Sequence, residues 1–250
     1  MTIDVMQMAT MPNTTIIYVS TGDIPKIQVV FADDHPDGPF YSLWTLISPD
    51  IPIIHLRSLP SSSLYSYKVI LPLAGGGHPI WQGDWTIHGC EKSPLLSVFR
   101  RRVLEFYKIP DYHADAGDSL LLTLIGSGNL VAFGKLSLHE QIYTALNTDN
   151  LVGVHGAGLT HSMFMRAGSA LVEILPKGLG HKGFRNLASL AGLHCFGTHA
   201  SESENSSMED ENGADWQKDD VFLEEDRFLK LMEVAIKSMY NEGMRNDDIS

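Results

Sequence analysis

Apolar and polar positions along the chain predict short strands that alternate with helices. Apolar runs rich in β-branched residues predict strands, and they occur at 15–19, 27–31, 69–73, 120–125, 130–133, 151–154, 170–175 and 193–196. Helical spacing or capping signals predict helices at 41–47, 93–107, 137–146, 184–191 and 221–240, and another helix is predicted after the glycines at 156–158, through 165. Strands alternating with helices are typical of a parallel α/β sheet. The fully apolar run at 120–125 is typical of a strand buried on both faces.

The helix predicted at 93–107 has a clear start and a clear apolar face. Ser93 is a plausible cap and Pro94 fits the first helical position. The arginines at 100–102 suit a solvated helix face better than a phosphate contact. The apolar face is made of Leu96, Phe99, Val103 and Phe106.

The last helix is amphipathic and is expected to dock on the sheet. Its apolar face is made of Phe222, Leu229, Met232, Ile236 and Met239. The pattern divides the chain into five regions: a poorly ordered lead-in (1–15), a partial N-terminal domain (16–115), a C-terminal domain (116–200), an acidic disordered loop (201–219) and a C-terminal helix (220–243).

The negative charge of the chain is concentrated in the acidic loop and its border. The net charge is -12, and residues 201–226 hold eleven acids and one base. Because phosphate backbones bind a concentrated basic face, nucleic acid is excluded as the expected partner. No apolar run approaches the roughly 20 residues of a membrane span, and the first fourteen residues do not have the pattern of a signal peptide.

The two cysteines, Cys90 and Cys195, do not define a disulfide framework or a metal motif. Two buried free thiols are the favoured interpretation, and one bridge in an oxidising lumen is the alternative. Acceptor patterns for N-glycosylation begin at Asn13 and Asn205, and they favour a lumenal location only weakly because such triplets are common.

The most informative pattern lies at residues 152–176, where a strand leads into Gly156-Ala157-Gly158 and then a helix. Glycines let the backbone approach a ligand closely, and the start of a helix offers N–H groups and partial positive charge to a diphosphate. Glu173 stands at the end of the next strand, where dinucleotide folds place an acid on the ribose. His161 occupies the third glycine position, which disfavours a nicotinamide site. A tight turn without a ligand is the alternative.

A second cluster of glycines and aromatic residues lies at 75–85. Trp81 and Trp85 flank Asp84, and tryptophan faces stack on sugars while a carboxylate bonds hydroxyls or acts as a base. The alternative is a folded loop with the tryptophans as core anchors.

Together these segments resemble glycosyltransferase family 61, which includes protein O-linked N-acetylglucosamine transferases and plant xylan xylosyl- and arabinosyltransferases. The resemblance covers roughly residues 25–200 and is closest to fungal members. The stretch from 147 to 176 is specific and the others are supportive. The matching stretches are 37–39, 71–76, 79–85, Cys90 with 99–104, 147–149, 152–161 and 172–176.

The resemblance implies an α/β fold of GT-B type, with two Rossmann-like parallel-sheet domains, both incomplete here. It implies inverting transfer from a UDP-sugar, with N-acetylglucosamine favoured, to a protein or glycan hydroxyl in the endoplasmic reticulum or Golgi. No cofactor and no essential metal are implied. Region 16–115 would be the acceptor side and 116–200 the nucleotide-sugar side. Asp84 and His155 are the implied catalytic candidates. The implied nucleotide-sugar contacts are His155, Gly156, Ala157, Gly158, Leu159, Thr160 and Glu173.

The sequence departs from the family in two places, and both predict a truncated chain. It shows no N-terminal anchor or signal and only part of the first domain. After the strand at 120–125, Gly126-Ser127-Gly128-Asn129 stands where the family has an arginine-containing segment and a helix. Three functions therefore stay open. They are an active transferase, a catalytically impaired fragment or non-catalytic nucleotide-sugar-binding module, and a nicotinamide-dependent or hydrolytic α/β enzyme. The imperfect glycine pattern and the lack of Gly-x-Ser-x-Gly disfavour the third.

Overall fold

A computed structural model describes residues 4–8, 15–19, 29–31, 40–46, 49–58, 93–111, 121–125, 133–201 and 221–247. The strands are β1 (Asp4–Met8), β2 (Thr15–Val19), β3 (Val30–Phe31), β4 (Ile54–His55), β5 (Leu122–Ile125), β6 (Asn150–Val154), β7 (Ala170–Leu175) and β8 (His194–His199). The α-helices are α1 (Pro94–Tyr107), α2 (Leu138–Leu146), α3 (Gly183–Ala191) and α4 (Glu225–Asp247). Segments of 3₁₀ helix cover Tyr41–Leu46, Leu56–Ser58, Phe133–Lys135 and Ala157–Phe164.

The central feature is a four-stranded parallel sheet in the order β5-β6-β7-β8. Successive strands are neighbours, so right-handed crossovers place the connecting helices on one face. Side chains alternate between the two faces of each strand. Leu151 and Leu171 join the core that also contains Ile142 of α2 and Leu187 of α3. The sheet confirms the α/β class, and it has Rossmann-like topology.

Helix α4 covers the opposite face of the sheet, over β7 and β8. Val152 and Val172 point to this face and meet Met232 and Ala235 of α4. The docking predicted for the last helix is confirmed, but two members of its predicted face are wrong. Leu229 is 55% exposed, and Phe222 is 53% exposed and lies before the helix begins. The helix instead turns Phe228 and Leu231 toward the sheet, because these two residues share one helical face with Met232 and Ala235 at i, i+3, i+4 and i+7 spacing.

Helix α1 begins as its sequence predicts. The Ser93 side chain accepts a hydrogen bond from the backbone N–H of Leu96, and Pro94 occupies the first turn. Leu96, Phe99 and Val103 are buried as predicted, whereas Phe106 is 41% exposed and Leu104 takes its place in the core. The helix ends at Lys108, which adopts a left-handed conformation.

Three other local predictions differ from the structure. Within the predicted lead-in, β1 pairs antiparallel with β2, because strand pairing satisfies the backbone groups of both segments even where side-chain signals are weak. In the strand predicted at 130–133, Phe133 begins a 3₁₀ segment, while 130–132 lie outside the described residues. Leu122, in the strand predicted as buried on both faces, is 45% exposed, since β5 is at one end of the strand order. The strand predicted at 69–73 also lies outside the described residues.

Arg100 connects α1 to the end of the Ala157–Phe164 segment, so it is not part of a purely solvated face. Its Nε donates to the carbonyl of Phe164 at 3.1 Å, and its guanidinium pairs with Asp111 at 2.5 Å. The Asp111 side chain is 47% exposed, so the ion pair itself adds little, and the bond to the backbone of buried Phe164 matters more.

Replacing Arg100 with alanine is therefore expected to lower the free energy of unfolding by about 1–2 kcal/mol, the usual cost of losing such a bond. The matched control is Arg101→Ala on the exposed side of the same helix, which should stay within about 0.5 kcal/mol of the parent. Urea denaturation followed by circular dichroism measures both. Equal losses of stability in the two variants would contradict a stabilising role for the bond from Arg100 to the Phe164 carbonyl.

Cys195 is a free, partly buried thiol on β8. Burial, together with the nearby carboxylate of Glu173, raises the pKa of Cys195 to about 12. A thiol with so high a pKa is a poor nucleophile at neutral pH. The free-thiol interpretation agrees with the structure at Cys195, which forms no disulfide there, and Cys90 lies outside the described residues.

Candidate functional site

The carboxyl edge of the parallel sheet, where β6 ends, is where ligands bind in open α/β folds. Strand β6 reaches this edge at Val154, and residues 155–158 turn the chain into the Ala157–Phe164 segment. Gly153 allows close packing just before the turn, because a Cβ there would lie 3.0 Å from Leu159 Cδ2 and 3.4 Å from Ile125 Cβ, and both side chains would have to move slightly. The strand can therefore pack closely against both neighbours.

The glycine turn, residues 156–158, has one closed side and one open side. A Cβ on Gly158 would stand 2.9 Å from Ile125 Cγ2, which is too close for a real contact. A Cβ on Gly156 would meet only the Val154 carbonyl, at 3.8 Å. The turn is closed by the N–H of Leu159, which donates to the Gly156 carbonyl at 3.0 Å. Gly158 is therefore needed for packing, whereas Gly156 is not.

His155, the last residue before the turn, is bonded to Glu173 of β7. Its Nδ1 lies 2.5 Å from Glu173 Oε1, and the two side chains are only 7% and 3% exposed. The parallel register places Glu173 opposite Gly153, and the His155 N–H donates to the Ile174 carbonyl at 2.8 Å. An ionised carboxylate only accepts, so Nδ1 carries the proton. In a neutral ring Nε2 is then the basic nitrogen.

Two further rings pack against the His155 ring. The His181 ring lies 4.9 Å away and the Phe184 ring 5.1 Å away, both edge to face. His181 belongs to the loop between β7 and α3, where its Nδ1 accepts from the N–H of Gly183 at 3.1 Å. These contacts hold the imidazole of His155 in one orientation at the edge of the site.

Beneath the turn, His161 is held between the turn and α2. Its Nδ1 lies 2.9 Å from the Gly158 carbonyl and its Nε2 lies 2.6 Å from Gln141 Oε1. Gln141 Nε2 donates at 2.8 Å to the carbonyls of Phe133 and Leu136. Burial lowers the pKa of His161, while its bond to the Gly158 carbonyl acts in the opposite direction. A chain of close polar contacts thus connects the glycine turn to α2 and the segment before it.

The predicted contact residues are brought together on this edge, but they differ in what they expose. Ala157 is exposed, and Thr160 is half-buried. Leu159 is fully buried in the core, so its side chain packs rather than faces a ligand. Glu173 is likewise buried against His155, and its predicted ribose contact stays a prediction. Asp84 and its tryptophan cluster lie outside the described residues.

Sequence reasoning did not single out Gln141, His181 or Phe184 as site residues. Gln141 had a usable signal, since it is a polar side chain on the same helical face as Leu138, Ile142 and Ala145, and such a residue needs a buried partner. His181 and Phe184 had none, because only the β7–α3 connection brings them to His155.

No group of three or more histidine, cysteine or acidic side chains within the described ranges is placed to hold a metal ion. Across the same ranges, none of the helices is both long and apolar enough to cross a membrane.

Comparison with known proteins gives matches to glycosyltransferases. A family model described as Glycosyltransferase 61 matches residues 126–172. The EGF domain-specific O-linked N-acetylglucosamine transferase of Drosophila melanogaster is 24% identical over 172 residues, covering 59% of this chain and 33% of that protein. Its Bos taurus counterpart is 23% identical over 182 residues, covering 62% and 34%. The xylan glycosyltransferase MUCI21 of Arabidopsis thaliana is 49% identical over 39 residues, covering 15% of this chain and 8% of that protein.

The chain spans about a third of the length of the first two relatives. The family match begins just after β5 and ends within β7 at Val172. It therefore includes His155 and the glycine turn, but not Glu173, His181 or Phe184. By its sequence, the chain is similar to glycosyltransferase family 61.

Proposed function

We propose that this chain carries the nucleotide-sugar-binding part of an inverting, UDP-sugar-dependent glycosyltransferase of GT-B architecture. The donor sugar would be N-acetylglucosamine, the acceptor a hydroxyl of a protein or glycan, and the compartment the lumen of the endoplasmic reticulum or Golgi. The donor choice rests on the names of the two longer relatives. The proposal includes no essential metal or cofactor.

One observation carries the proposal: the glycine turn and the His155–Glu173 pair lie side by side at the carboxyl edge of the parallel sheet. The open side at Gly156 leaves room for a ligand to approach the backbone. The start of the following helical segment offers N–H groups and partial positive charge to the two phosphates. A diphosphate is the anion that such an edge accepts in related topologies.

The proposed roles follow from the direction in which each group points. Gly156, Ala157, Gly158 and Thr160 line the diphosphate, with Leu159 holding the turn from the core side. Inversion is a single displacement, so the site must stabilise the leaving diphosphate while a base takes the acceptor proton. With its proton on Nδ1, His155 has Nε2 as the basic or phosphate-facing nitrogen. Asp84 is kept as the second candidate for the acceptor side.

Glu173 has two candidate roles, and the geometry favours one. Its Oε1 is used by His155 and its side chain is 3% exposed, so it is built to fix the tautomer and orientation of His155. A ribose hydroxyl would have to reach the remaining oxygen of a buried carboxylate. We therefore assign Glu173 as a positioning residue, with the ribose contact as the alternative.

The test is calorimetric binding of UDP, ADP and NAD to this chain, followed by a UDP-release assay with UDP-N-acetylglucosamine and a hydroxyl acceptor in the presence of EDTA. We expect UDP to bind better than the other two nucleotides and EDTA to change nothing. Binding without turnover would point to the nucleotide-sugar-binding module. A preference for NAD, or no nucleotide binding, would overturn the proposal.

A further inference from the structure

The two ring nitrogens of His161 both face oxygen atoms. Nδ1 faces the carbonyl of Gly158 at 2.9 Å, and Nε2 faces Oε1 of Gln141 at 2.6 Å. A neutral imidazole has one N–H donor and one bare nitrogen, whereas an imidazolium has two donors. In the neutral ring, one of these two contacts would bring a bare nitrogen against an oxygen lone pair.

Turning the Gln141 amide over does not resolve this conflict. Its Nε2 already donates to two backbone carbonyls, those of Phe133 and Leu136, both at 2.8 Å. A flipped amide would place Oε1 against both carbonyls and lose both hydrogen bonds. The orientation of Gln141 is therefore set by the backbone, and His161 must supply both protons if both of its contacts are to be hydrogen bonds.

The hydrogen-bond partners and aromatic neighbours of the ring within the described part of the chain are all uncharged. Besides the Gln141 amide and the Gly158 carbonyl, the neighbours are aromatic: the Phe133 ring is 4.5 Å away, the Phe40 ring 5.1 Å and the Phe164 ring 6.4 Å. Burial in such surroundings favours the neutral form. Nearby aromatic faces favour the cation in part, but no carboxylate in this set balances its charge. The missing counter-charge is what an anion at the turn would supply.

We propose, building on the proposed function, that His161 takes up a proton when a nucleoside diphosphate occupies the glycine turn. The imidazolium then donates at both nitrogens and fixes Gly158 against α2. His161 stands three residues beyond Gly158 and holds its carbonyl, so the new charge lies directly under the turn. His161 and Gln141 are positioning residues: they act on the ligand through the turn, and His161 also acts through its charge.

Proton uptake makes binding depend on pH with a definite sign. The ligand-bound state holds more protons than the empty state, so raising the pH weakens binding, by up to about tenfold per pH unit when one full proton is taken up. The secondary phosphate ionisation of UDP, with a pKa of about 6, works in the opposite direction at lower pH. Measurements from about pH 7.5 upward therefore separate the two.

The experiment is calorimetry of UDP binding at about pH 8 in buffers with different heats of ionisation, which counts the protons taken up. We expect the parent chain to take up a clear fraction of one proton when UDP binds. The His161→Gln chain should take up none and should bind UDP about tenfold more weakly. The matched control is His139→Gln, an exposed histidine on α2, which should keep both proton uptake and affinity. Gln141→Leu removes Oε1, the oxygen that would accept the proton on His161 Nε2. This variant should reduce the proton uptake without removing the histidine.

A second readout uses the unmodified chain, in case the variants fold poorly. Nitrogen-15 spectra of the histidine rings, with His161 identified by its proximity to the Phe133 ring, should show two protonated nitrogens with UDP bound and one without. UDP binding without proton uptake, or one bare His161 nitrogen in the UDP complex, would overturn this inference alone. A parent chain that binds no UDP would overturn the proposed function first.

Discussion

Replacing Glu173 with glutamine is expected to produce the largest loss of function of any single isosteric change in the described site. Glutamine keeps the volume of the side chain, but it removes the charge that holds Nδ1 of His155 at 2.5 Å. A hydrogen bond to a buried charged group contributes about 1.5–3 kcal/mol. We therefore expect the free energy of unfolding to fall by about 2 kcal/mol. Turnover should fall by on the order of 100-fold or more, as when a catalytic base loses its proper tautomer.

The size of the effect on UDP affinity separates the two roles of Glu173. If it positions His155, UDP affinity should fall modestly while turnover collapses. If it contacts the ribose, affinity should fall together with turnover. Chemical denaturation, calorimetry and the UDP-release assay measure the three quantities. The control is Glu233→Gln, which affects only an exposed pair with Lys237 on α4 and should leave all three unchanged. A Glu173→Gln chain with unaltered stability and turnover would refute the paired arrangement.

Replacing Gly158 with alanine is expected to destabilise the fold. Replacing Gly156 with alanine is expected to leave the stability unchanged and to weaken UDP binding. The new Cβ at position 158 would stand 2.9 Å from Ile125 Cγ2, so β5 or the turn must shift. Overpacking of this kind typically costs about 1–3 kcal/mol. Gly158→Ala should therefore lower the free energy of unfolding by an amount in that range, and UDP affinity should fall with it.

Gly156→Ala is the matched comparison because the nearest atom to its new Cβ is 3.8 Å away. Its backbone is extended, with φ of 165°, which any residue adopts. We expect the stability to stay within about 0.5 kcal/mol of the parent, while UDP affinity drops because the methyl group occupies the path of the diphosphate. Thermal or urea unfolding and calorimetry on both variants provide the check.

The two glycine variants would contradict the site if their effects were exchanged or equal. A Gly158→Ala chain as stable as the parent would show that Ile125 can move aside without lowering the free energy of unfolding. A Gly156→Ala chain that binds UDP like the parent would show that the open side of the turn is not the side a diphosphate approaches. Adding Ile125→Ala to Gly158→Ala removes the blocking methyl group and should make the combined loss smaller than the sum of the two single losses.

Most of the fold of residues 121–125 and 133–199 could be predicted from local pattern. The strand predicted at 170–175 has those bounds in the structure, and the helices predicted at 137–146 and 184–191 begin or end within a residue of α2 and α3. Ser137 caps α2 with a reciprocal bond to Glu140, as a Ser-x-x-Glu pattern predicts. Local pattern sufficed here because capping and apolar spacing agree with the tertiary packing.

Prediction was weaker where burial depends on a partner distant in sequence. The periodicity of α4 placed Leu229 on the apolar face, yet the sheet contacts Phe228 and Leu231 instead. On α1, Phe106 was predicted as buried and is exposed, and Leu104 is buried instead. A helical pattern defines an apolar side only to within a residue or so, because the width of the stripe exceeds the width of the contact.

By itself, the sequence determined the α/β class, the strand at 151–154 and the glycine turn at 156–158, because these follow from local spacing and backbone sterics. Only the tertiary structure decided which residues around the turn meet. The parallel register of β6 and β7 brings Glu173 to His155, and the packing of α2 beneath the turn brings Gln141 to His161. Such pairs depend on strand register and helix docking, which single residues do not encode. The glycine turn was thus visible in the sequence, whereas the two buried histidine contacts that hold it were not.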